Sequence, residues 1–195
     1  MVVTQEEEIA IYNSEKALYT DVWKNEYVGI GEKSQVTQFV RATTCMEDNI
    51  LDIGCGNGTV VKSLRANGRR ATGIDITLGG IEGSTKGFVG CPVWALPFED
   101  NTFDYTFSMD FMEHLPPNMV KRSVEEISRV TRRETFHAIC TQESTIRPEL
   151  HKSVHTIDWW RIMFKNCVQS HVYVNVIDTI EFPILYHYVC GRKIG

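Results

Sequence analysis

An acidic residue and a run of closely spaced glycines stand together in the first third of the chain. Asp52 lies two residues before Gly54, and Gly56 and Gly58 follow at alternate positions. Glycine lets the backbone turn sharply and lets a ligand approach the main chain closely. A carboxylate beside such a turn attracts positive charge. The pattern therefore predicts a binding loop for a cofactor that has a charged, zwitterionic end.

A second acid supports a nucleotide ligand. Asp75 comes seventeen residues after Gly58 and ends an apolar stretch, 71–74. A carboxylate at that place can accept hydrogen bonds from both hydroxyls of a ribose, which predicts an adenosine-containing ligand. Asp75 alone suits a dinucleotide equally well, so it does not decide between cofactors.

Two familiar phosphate-binding loops fit this glycine spacing poorly. A P-loop requires Lys followed by Ser or Thr after its last glycine, and this chain has Thr59-Val60 there. The dinucleotide fingerprint G-x-G-x-x-G requires its third glycine at position 59. The spacing found here, G-x-G-x-G, belongs to neither motif.

The elements around the loop are those that must position a nucleotide. An apolar strand over 49–53 precedes it, and an apolar helix face over 60–64 follows, ended by Asn67-Gly68. Helical and extended patterns then alternate along the chain, over 105–108, 120–130, 135–140, 156–166, 172–177 and 184–190. Asn118 is placed to cap the helix over 120–130. This alternation predicts an α/β fold with a doubly wound parallel sheet.

A third block of sequence points to one cofactor. The segment from Leu96 to Asp104, LPFEDNTFD, closely resembles a segment of quinone and other small-molecule methyltransferases. The loop after Asp52 resembles motif I of the class I S-adenosylmethionine (SAM) dependent methyltransferases. The resemblance runs over 49–115. It implies a Rossmann-like, doubly wound, mostly parallel seven-stranded sheet with one antiparallel strand near the C-terminus, SAM as cofactor and S-adenosylhomocysteine as product.

The resemblance also assigns the cofactor contacts, with the glycine backbone lining the methionine end and the acid near its ammonium. The residues it implicates are Asp52, Gly54, Cys55, Gly56, Asn57, Gly58, Asp75, Ile76, Val93, Trp94 and Met109. Pro92 stands where the family often has an acid for the adenine amino group. The Val93 backbone N–H can still contact adenine, and the Trp94 ring either stacks on it or simply packs, in which case another side chain supplies the contact. Four glycines over 79–87 fall where the family has a crossover helix, and they predict a loop.

The lead-in segment offers aromatic side chains. Tyr19, Trp23 and Tyr27 repeat every fourth residue. They either form one aromatic face that closes over the cofactor, where rings would suit a sulfonium, or simply pack a helix.

Candidates for the methyl acceptor side follow the strand over 105–108, because ligands of such sheets bind at the carboxyl ends of the strands. Asp110 and His114 lie there, and Glu113-His114 resembles the EH pair common after this strand in the family. Histidine suits the removal of a proton from an oxygen or nitrogen acceptor.

His151 and His155 lie on a later loop and are further candidates for contact with the acceptor. No metal site is predicted, since a third ligand near this pair is missing and the six cysteines contain no C-x-x-C pair.

Composition limits the remaining possibilities. The chain has 195 residues and a formal net charge of −5, which disfavours nucleic acid as a partner. Arg129, Arg132 and Arg133 are expected to be helix-end charges facing water. The acidic start, MVVTQEEE, is unlike a signal peptide, and no apolar run suffices for a membrane span, so a soluble cytoplasmic protein is expected. We expect one domain over 1–195, with a helical lead-in or lid over 1–45 and a catalytic core over 46–195.

Three functional hypotheses follow. The first is an enzyme that moves a methyl group from SAM to an oxygen or nitrogen of a small molecule or a sugar or glycan precursor. The second is a SAM-binding module without its own catalysis, acting as a partner or regulatory subunit. The third is an NAD-dependent enzyme, which would bind NAD in preference to SAM.

Overall fold

The computed structural model describes residues 3–25, 34–144, 147–168, 170–177 and 186–193. They divide into two compact units, unit 1 over 1–93 and unit 2 over 94–195. Within the described ranges, no helix is both long enough and apolar enough to cross a lipid bilayer.

Unit 1 begins with two helices, α1 (Gln5–Asn25) and α2 (Ser34–Thr43). Three parallel strands follow, β1 (Asn49–Ile53), β2 (Arg70–Asp75) and β3 (Phe88–Gly90), with β2 in the middle. The pairing joins Leu51 to Thr72 and Asp75 to Gly90. The short strand β3 is absent from the sequence prediction, because its apolar part is only a Phe88-Val89 pair.

Helix α3 (Thr59–Ala66) connects β1 to β2. Its buried residues Val60, Val61 and Leu64 form one apolar face, as their spacing predicts, and the helix packs on β2. The predicted ending at Asn67-Gly68 is confirmed: Gly68 has φ +78° and its N–H bonds to the Arg65 carbonyl. The glycine-rich stretch between β2 and β3 contains no helix, which confirms the predicted loop.

Unit 2 contains four strands, β4 (Phe103–Met109), β5 (Thr131–Cys140), β6 (Ser170–Ile177) and β7 (Tyr186–Lys193). Strands β4 and β5 are parallel, and β7 pairs antiparallel with both β5 and β6. The predicted start of the last strand at Ile184 lies outside the described residues.

Helices α4 (Val120–Val130) and α5 (Ile157–Val168) pack against each other in unit 2. The helical spacing predicted for α4 is confirmed by its buried residues Val120, Val124, Ile127 and Val130. The predicted cap is wrong. The residue before the helix is Met119, no side chain caps it, and Asn118 lies in a turn closed by a bond from the Met119 N–H to the Pro116 carbonyl.

The interior of unit 2 holds one polar triad. His137 on β5 is fully buried, with Nδ1 2.8 Å from the Ser108 hydroxyl and Nε2 bonded to the Thr135 hydroxyl. The Phe164 ring lies 4.9 Å from the imidazole. Burial lowers the pKa of His137 to about 3, so the ring is a neutral part of the core at neutral pH.

Candidate functional site

The glycine loop of unit 1 is a tight turn tied to the neighbouring strand. The Cys55 N–H donates to the Ile74 carbonyl at 2.9 Å, and the Gly58 N–H donates to the Cys55 carbonyl at 2.9 Å. Gly58 has φ +73°, and a Cβ there would lie 2.6 Å from the Phe88 ring. Both the backbone conformation and the available space therefore require glycine at this position.

Asp75, at the end of β2, connects that strand to the loop. Its Oδ2 accepts from the Gly56 N–H at 3.0 Å, and its Oδ1 accepts from the Thr77 N–H at 3.3 Å. These two bonds fix the orientation of the carboxylate. The structure thus places the predicted acid Asp75 against the predicted glycine loop.

Trp23 of α1 lies against the same loop. A Cβ on Gly56 would come within 3.1 Å of the Trp23 ring, and one on Gly80 within 2.6 Å. The Thr20 hydroxyl on the same helix lies 3.3 Å from that of Thr77. Helix α1 therefore covers the glycine loop with an aromatic ring. Tyr19 is half-buried, and Tyr27 lies outside the described residues.

The other predicted cofactor residues of unit 1 occupy varied environments. Asp52 is buried on β1, Cys55 and Val93 are buried, and Gly54 and Ile76 are partly exposed. The Asn57 side chain accepts from the Thr59 N–H at 3.1 Å and from its hydroxyl at 2.7 Å, which serves the start of α3.

Cys91 follows β3, and its N–H donates to the Asp75 carbonyl at 2.9 Å. Burial and the nearby Asp75 charge raise the pKa of the Cys91 thiol to about 12. Since the nucleophilic form of cysteine is the thiolate, this thiol is inert at neutral pH.

In unit 2, the LPFEDNTFD segment is held by an arginine. The Arg129 guanidinium donates to the Leu96 carbonyl at 3.0 Å, to the Phe98 carbonyl at 2.7 Å and to Asp100 at 2.9 Å. It also pairs with Glu126, whose carboxylate accepts from the Leu96 N–H at 2.9 Å. The expectation that Arg129 is a helix-end charge facing water is therefore wrong, because its donors serve backbone carbonyls.

The end of the same segment carries a second ion pair, between Arg132 and the buried Asp104. The Arg132 side chain faces water, as expected, but it lies on β5 instead of at a helix end and also balances a buried carboxylate. Trp94, just before the segment, is almost fully buried, and its indole N–H has no partner among the described residues.

The acceptor-side residues follow β4, which ends at the half-buried Met109. Asp110 is exposed and has φ +50°, a left-handed conformation uncommon for a residue other than glycine, and its N–H donates to the Ala138 carbonyl at 3.2 Å. A single 3₁₀ turn, Met112–His114, comes next. The chain therefore reverses direction immediately after the strand.

Glu113 is the buried acid of this turn. Its Oε1 accepts from the Cys140 N–H at 3.2 Å, while its Oε2 has no partner among the described residues. Burial, followed by the Asp110 charge, raises the pKa of the Glu113 carboxyl well above its ordinary value. Sequence reasoning noted Glu113 only as part of the EH pair and did not place it in the site.

Two of the predicted histidines meet at Glu113. The rings of His114 and His151 lie edge to face with their centres 4.8 Å apart. The ligand atoms of Glu113, His114 and His151 all lie within 4.8 Å of one another. Burial and the neighbouring His151 lower the pKa of His114 to about 4, so His114 is neutral at neutral pH. We call these three residues the EHH cluster.

His155 is not part of the EHH cluster. Its ring stacks on the Trp159 ring, with the two ring centres 3.7 Å apart, and partial burial lowers the pKa of His155. Residues 151–156 are not helical, so the four-residue spacing does not place His151 and His155 on one helix face. Of the two histidines, only His151 therefore lies in the EHH cluster.

Comparisons with known proteins agree with the loop geometry. Residues 51–139 match the family of methyltransferase domains. The chain is 31% identical over 116 residues to an uncharacterized protein of Methanocaldococcus jannaschii, which covers 57% of this chain and 42% of that protein. It is 27% identical over 115 residues to malonyl-[acyl-carrier protein] O-methyltransferase of Pseudescherichia vulneris, which covers 56% of this chain and 45% of that protein. The chain spans less than half the length of these curated relatives.

A solved structure extends the likeness to the fold. The chain is similar to the 1,6-didemethyltoxoflavin-N1-methyltransferase of Burkholderia thailandensis, crystallised with 1,6-didemethyltoxoflavin and S-adenosylhomocysteine. The TM-score is 0.72 at 15% identity, covering 100% of this chain and 92% of that chain. The predicted α/β Rossmann-like fold class is confirmed.

Proposed function

We propose that the chain transfers the methyl group of SAM to an acceptor, because residues 51–139 match the family of methyltransferase domains and the fold is similar to that of a solved methyltransferase crystallised with S-adenosylhomocysteine. The acceptor we propose is an oxygen or nitrogen atom of a small molecule or of a sugar or glycan precursor. The proposal includes the predicted single domain over 1–195 with one seven-stranded sheet and one antiparallel strand. A cytoplasmic location stays a prediction.

The observation that carries the proposal is the bond between the Asp75 carboxylate and the Gly56 N–H. It joins the acid expected at a ribose to the loop expected at the methionine end. The Trp23 ring lies close to the main chain of this region, since a Cβ on Gly56 would lie 3.1 Å from it and one on Gly80 2.6 Å. An aromatic ring beside the loop suits the positively charged sulfur of SAM. The residues found there therefore fit SAM.

We propose that the loop from Gly54 to Gly58 and Asp52 hold the methionine part of SAM, and that Asp75 holds the ribose. Ile76, Val93, Trp94 and Met109 complete the proposed set of cofactor contacts, with Tyr19 and Trp23 as its cover. When bound, SAM supplies an electrophilic methyl group on a positively charged sulfur. The role of the protein is to hold the acceptor in line with that methyl group, because alignment of the reactants provides much of the rate acceleration of such a displacement.

On the acceptor side, we propose that His114 accepts a hydrogen bond from the acceptor O–H or N–H and orients its lone pair toward the methyl group. A pKa near 4 keeps His114 neutral and ready to accept, yet makes it a weak base. Asp110, exposed at the end of β4, is proposed to take part in removing the proton. His151 and His155 are proposed to contact the acceptor.

Calorimetry with SAM, S-adenosylhomocysteine and NAD tests the cofactor. We expect the first two to bind and NAD to give no heat. Binding of NAD alone would overturn the proposal and favour a dehydrogenase.

Turnover tests catalysis. Incubation with isotopically labelled SAM and cell extract, followed by mass analysis, should reveal one labelled product. Binding of SAM without any labelled product would favour the regulatory module instead.

The role of His114 is tested by His114→Ala. We expect turnover to fall by about 100-fold, the scale of a lost proton-acceptor contact, while the dissociation constant for SAM stays unchanged. An unchanged turnover would contradict the proposed role of His114, and an equal loss of SAM affinity would place the residue on the cofactor side.

A further inference from the structure

We infer that the EHH cluster, Glu113, His114 and His151, is a binding site for a divalent transition-metal ion. Two imidazoles and one carboxylate are a ligand set used by zinc, manganese, iron and cobalt in proteins. Their ligand atoms already lie within 4.8 Å of one another. A neutral imidazole has one ring lone pair, so binding of the ion by His114 and acceptance of a hydrogen bond from the methyl acceptor are alternative uses of that nitrogen. The inference concerns the ion in the absence of SAM and acceptor, and it is tested separately from methyl transfer.

Glu113 supplies the observation that points to a cation. Its side chain is fully buried, and Oε2 has no hydrogen-bond partner among the described residues. The other oxygen, Oε1, accepts from the Cys140 N–H at 3.2 Å. An isolated buried carboxylate is costly unless it pairs with a positive charge or coordinates a metal ion. A divalent ion at Oε2 would provide that partner.

The two histidines are arranged as metal ligands usually are. In such sites the imidazole donates one ring N–H to a backbone carbonyl or carboxylate and binds the metal through the other nitrogen. The His151 Nδ1 lies 2.8 Å from the Gln142 carbonyl, and His114 makes a hydrogen bond to the Leu150 backbone. Each ring is therefore held by a hydrogen bond to the main chain, as the ligand rings of metal sites are.

The loop that bears His151 is fastened to the turn that bears the other two ligands. The Ser153 N–H donates to the Glu113 carbonyl at 2.8 Å, and the Ser153 hydroxyl donates to the Leu115 carbonyl at 2.7 Å. These two bonds fix the loop only two residues from His151. The proposed ligands therefore come from distant parts of the sequence, but the two segments that carry them are hydrogen-bonded to each other.

The spacing requires a modest contraction on binding. Ligand atoms of a tetrahedral zinc lie roughly 3.3 Å apart, given bonds of about 2.0–2.1 Å. The EHH cluster must therefore close by up to about 1.5 Å, which side-chain rotation of the half-buried His151 can supply. Three protein ligands leave at least one position open for water or an oxygen of another molecule.

Titration with Co²⁺ alone, on chelator-treated full-length protein without SAM, tests the inference. We expect one ion per chain and the visible absorption bands of bound cobalt, with Zn²⁺ displacing it. Glu113→Gln and His151→Ala should each weaken binding by at least about 100-fold, more than loss of a supporting group would. His155→Ala is the matched control, since it removes a histidine of the same loop that lies outside the cluster. The affinity of this variant for Co²⁺ should equal that of the wild type.

Thermal unfolding with and without Zn²⁺ gives a second measurement. The ion should raise the midpoint of the wild type and of His155→Ala, but not that of His151→Ala. Should Glu113→Gln fail to fold, His151→Ala decides, because that side chain is half-buried on a loop. Failure of the wild type to bind Co²⁺ or Zn²⁺, or wild-type affinity in His151→Ala, would overturn the inference.

Discussion

The glycine loop of unit 1 and the EHH cluster of unit 2 differ in the groups that form them. The loop consists of main-chain turns, with one carboxylate, Asp75, bonded to the Gly56 N–H. The cluster consists of side chains, among them a fully buried carboxyl and a histidine whose pKa is lowered to about 4. One site is determined by backbone geometry, the other by burial of ionisable groups.

This difference decides which substitutions each region tolerates. In the loop, an added methyl group is harmful because the backbone approaches other atoms closely. In unit 2, a change of charge or of pH is harmful because polar groups are held away from water. Each of the following predictions tests one side of this contrast.

The largest effect is expected for Gly58→Ala. The residue has φ +73°, and its Cβ would lie 2.6 Å from the Phe88 ring, so strain and overpacking together should lower the free energy of unfolding by about 2 to 5 kcal/mol. Gly83→Ala is the matched control, because Gly83 has φ +79° and open space around it. It should cost only about 1 kcal/mol. Equal losses in denaturant unfolding would show that the loop is not constrained by contact.

The next effect concerns pH and unit 2. His137 has a pKa of about 3 in the folded protein, below its ordinary value of 6.5, so the unfolded chain takes up the proton first on acidification. The free energy of unfolding should therefore fall as pH drops from about 6.5 toward 4, by up to about 3 kcal/mol from this residue.

Denaturant titrations across this pH range measure that slope. His137→Gln should flatten it, whereas His155→Gln should change it less, since His155 is only half-buried. A slope that persists unchanged in His137→Gln would mean that other groups dominate the acid sensitivity.

Asp75→Asn tests the carboxylate that is hydrogen-bonded to the glycine loop. Loss of the carboxylate charge should weaken SAM binding by about 10- to 100-fold, the scale of a hydrogen bond to a charged group. Glu82→Gln removes an exposed negative charge from the same unit and should leave the affinity unchanged. Similar losses in both variants would indicate a general electrostatic effect rather than contact at Asp75.

The smallest effect is expected where the Trp23 ring covers the loop. A Cβ at Gly80 would lie 2.6 Å from this ring, whereas one at Gly79 would make ordinary contacts of 3.5 Å or more. Gly80→Ala should displace the ring and weaken SAM binding by about 10-fold or less, and Gly79→Ala should not. Calorimetry on the two neighbouring variants compares them directly. A larger loss in Gly79→Ala would contradict the proposed cover.

The sequence predicted unit 1 better than the acceptor side of unit 2, for a physical reason. A sharp turn beside a strand restricts residues 54–58 to small side chains at fixed spacing, so the loop can be recognised locally. Asp75 could be placed because the residue at a strand end is set by its position in the sheet. The burial of Glu113 depends on Cys140 and Ser153, which lie far along the chain, and no local pattern reveals it.

Arg129 and Asn118 show the same limit on a smaller scale. Helix ends favour basic residues and side-chain caps on average, but the Arg129 donors are taken by the carbonyls of Leu96 and Phe98. Asn118 lies one residue before Met119, which flanks the start of α4, and it is held in the turn closed by the bond from the Met119 N–H to the Pro116 carbonyl. Average preferences fail where tertiary contacts take the donors, as at Arg129, or where a local turn shifts the start of the helix, as at Asn118.

The position of Trp23 has a practical consequence for measurement. The chain has four tryptophans, of which Trp94 and Trp160 are almost fully buried and Trp159 is stacked on His155. Trp23 lies against the glycine loop. The protein therefore carries an intrinsic fluorophore at the proposed methionine end of its ligand, and emission from that ring provides an optical record of occupancy without any attached dye.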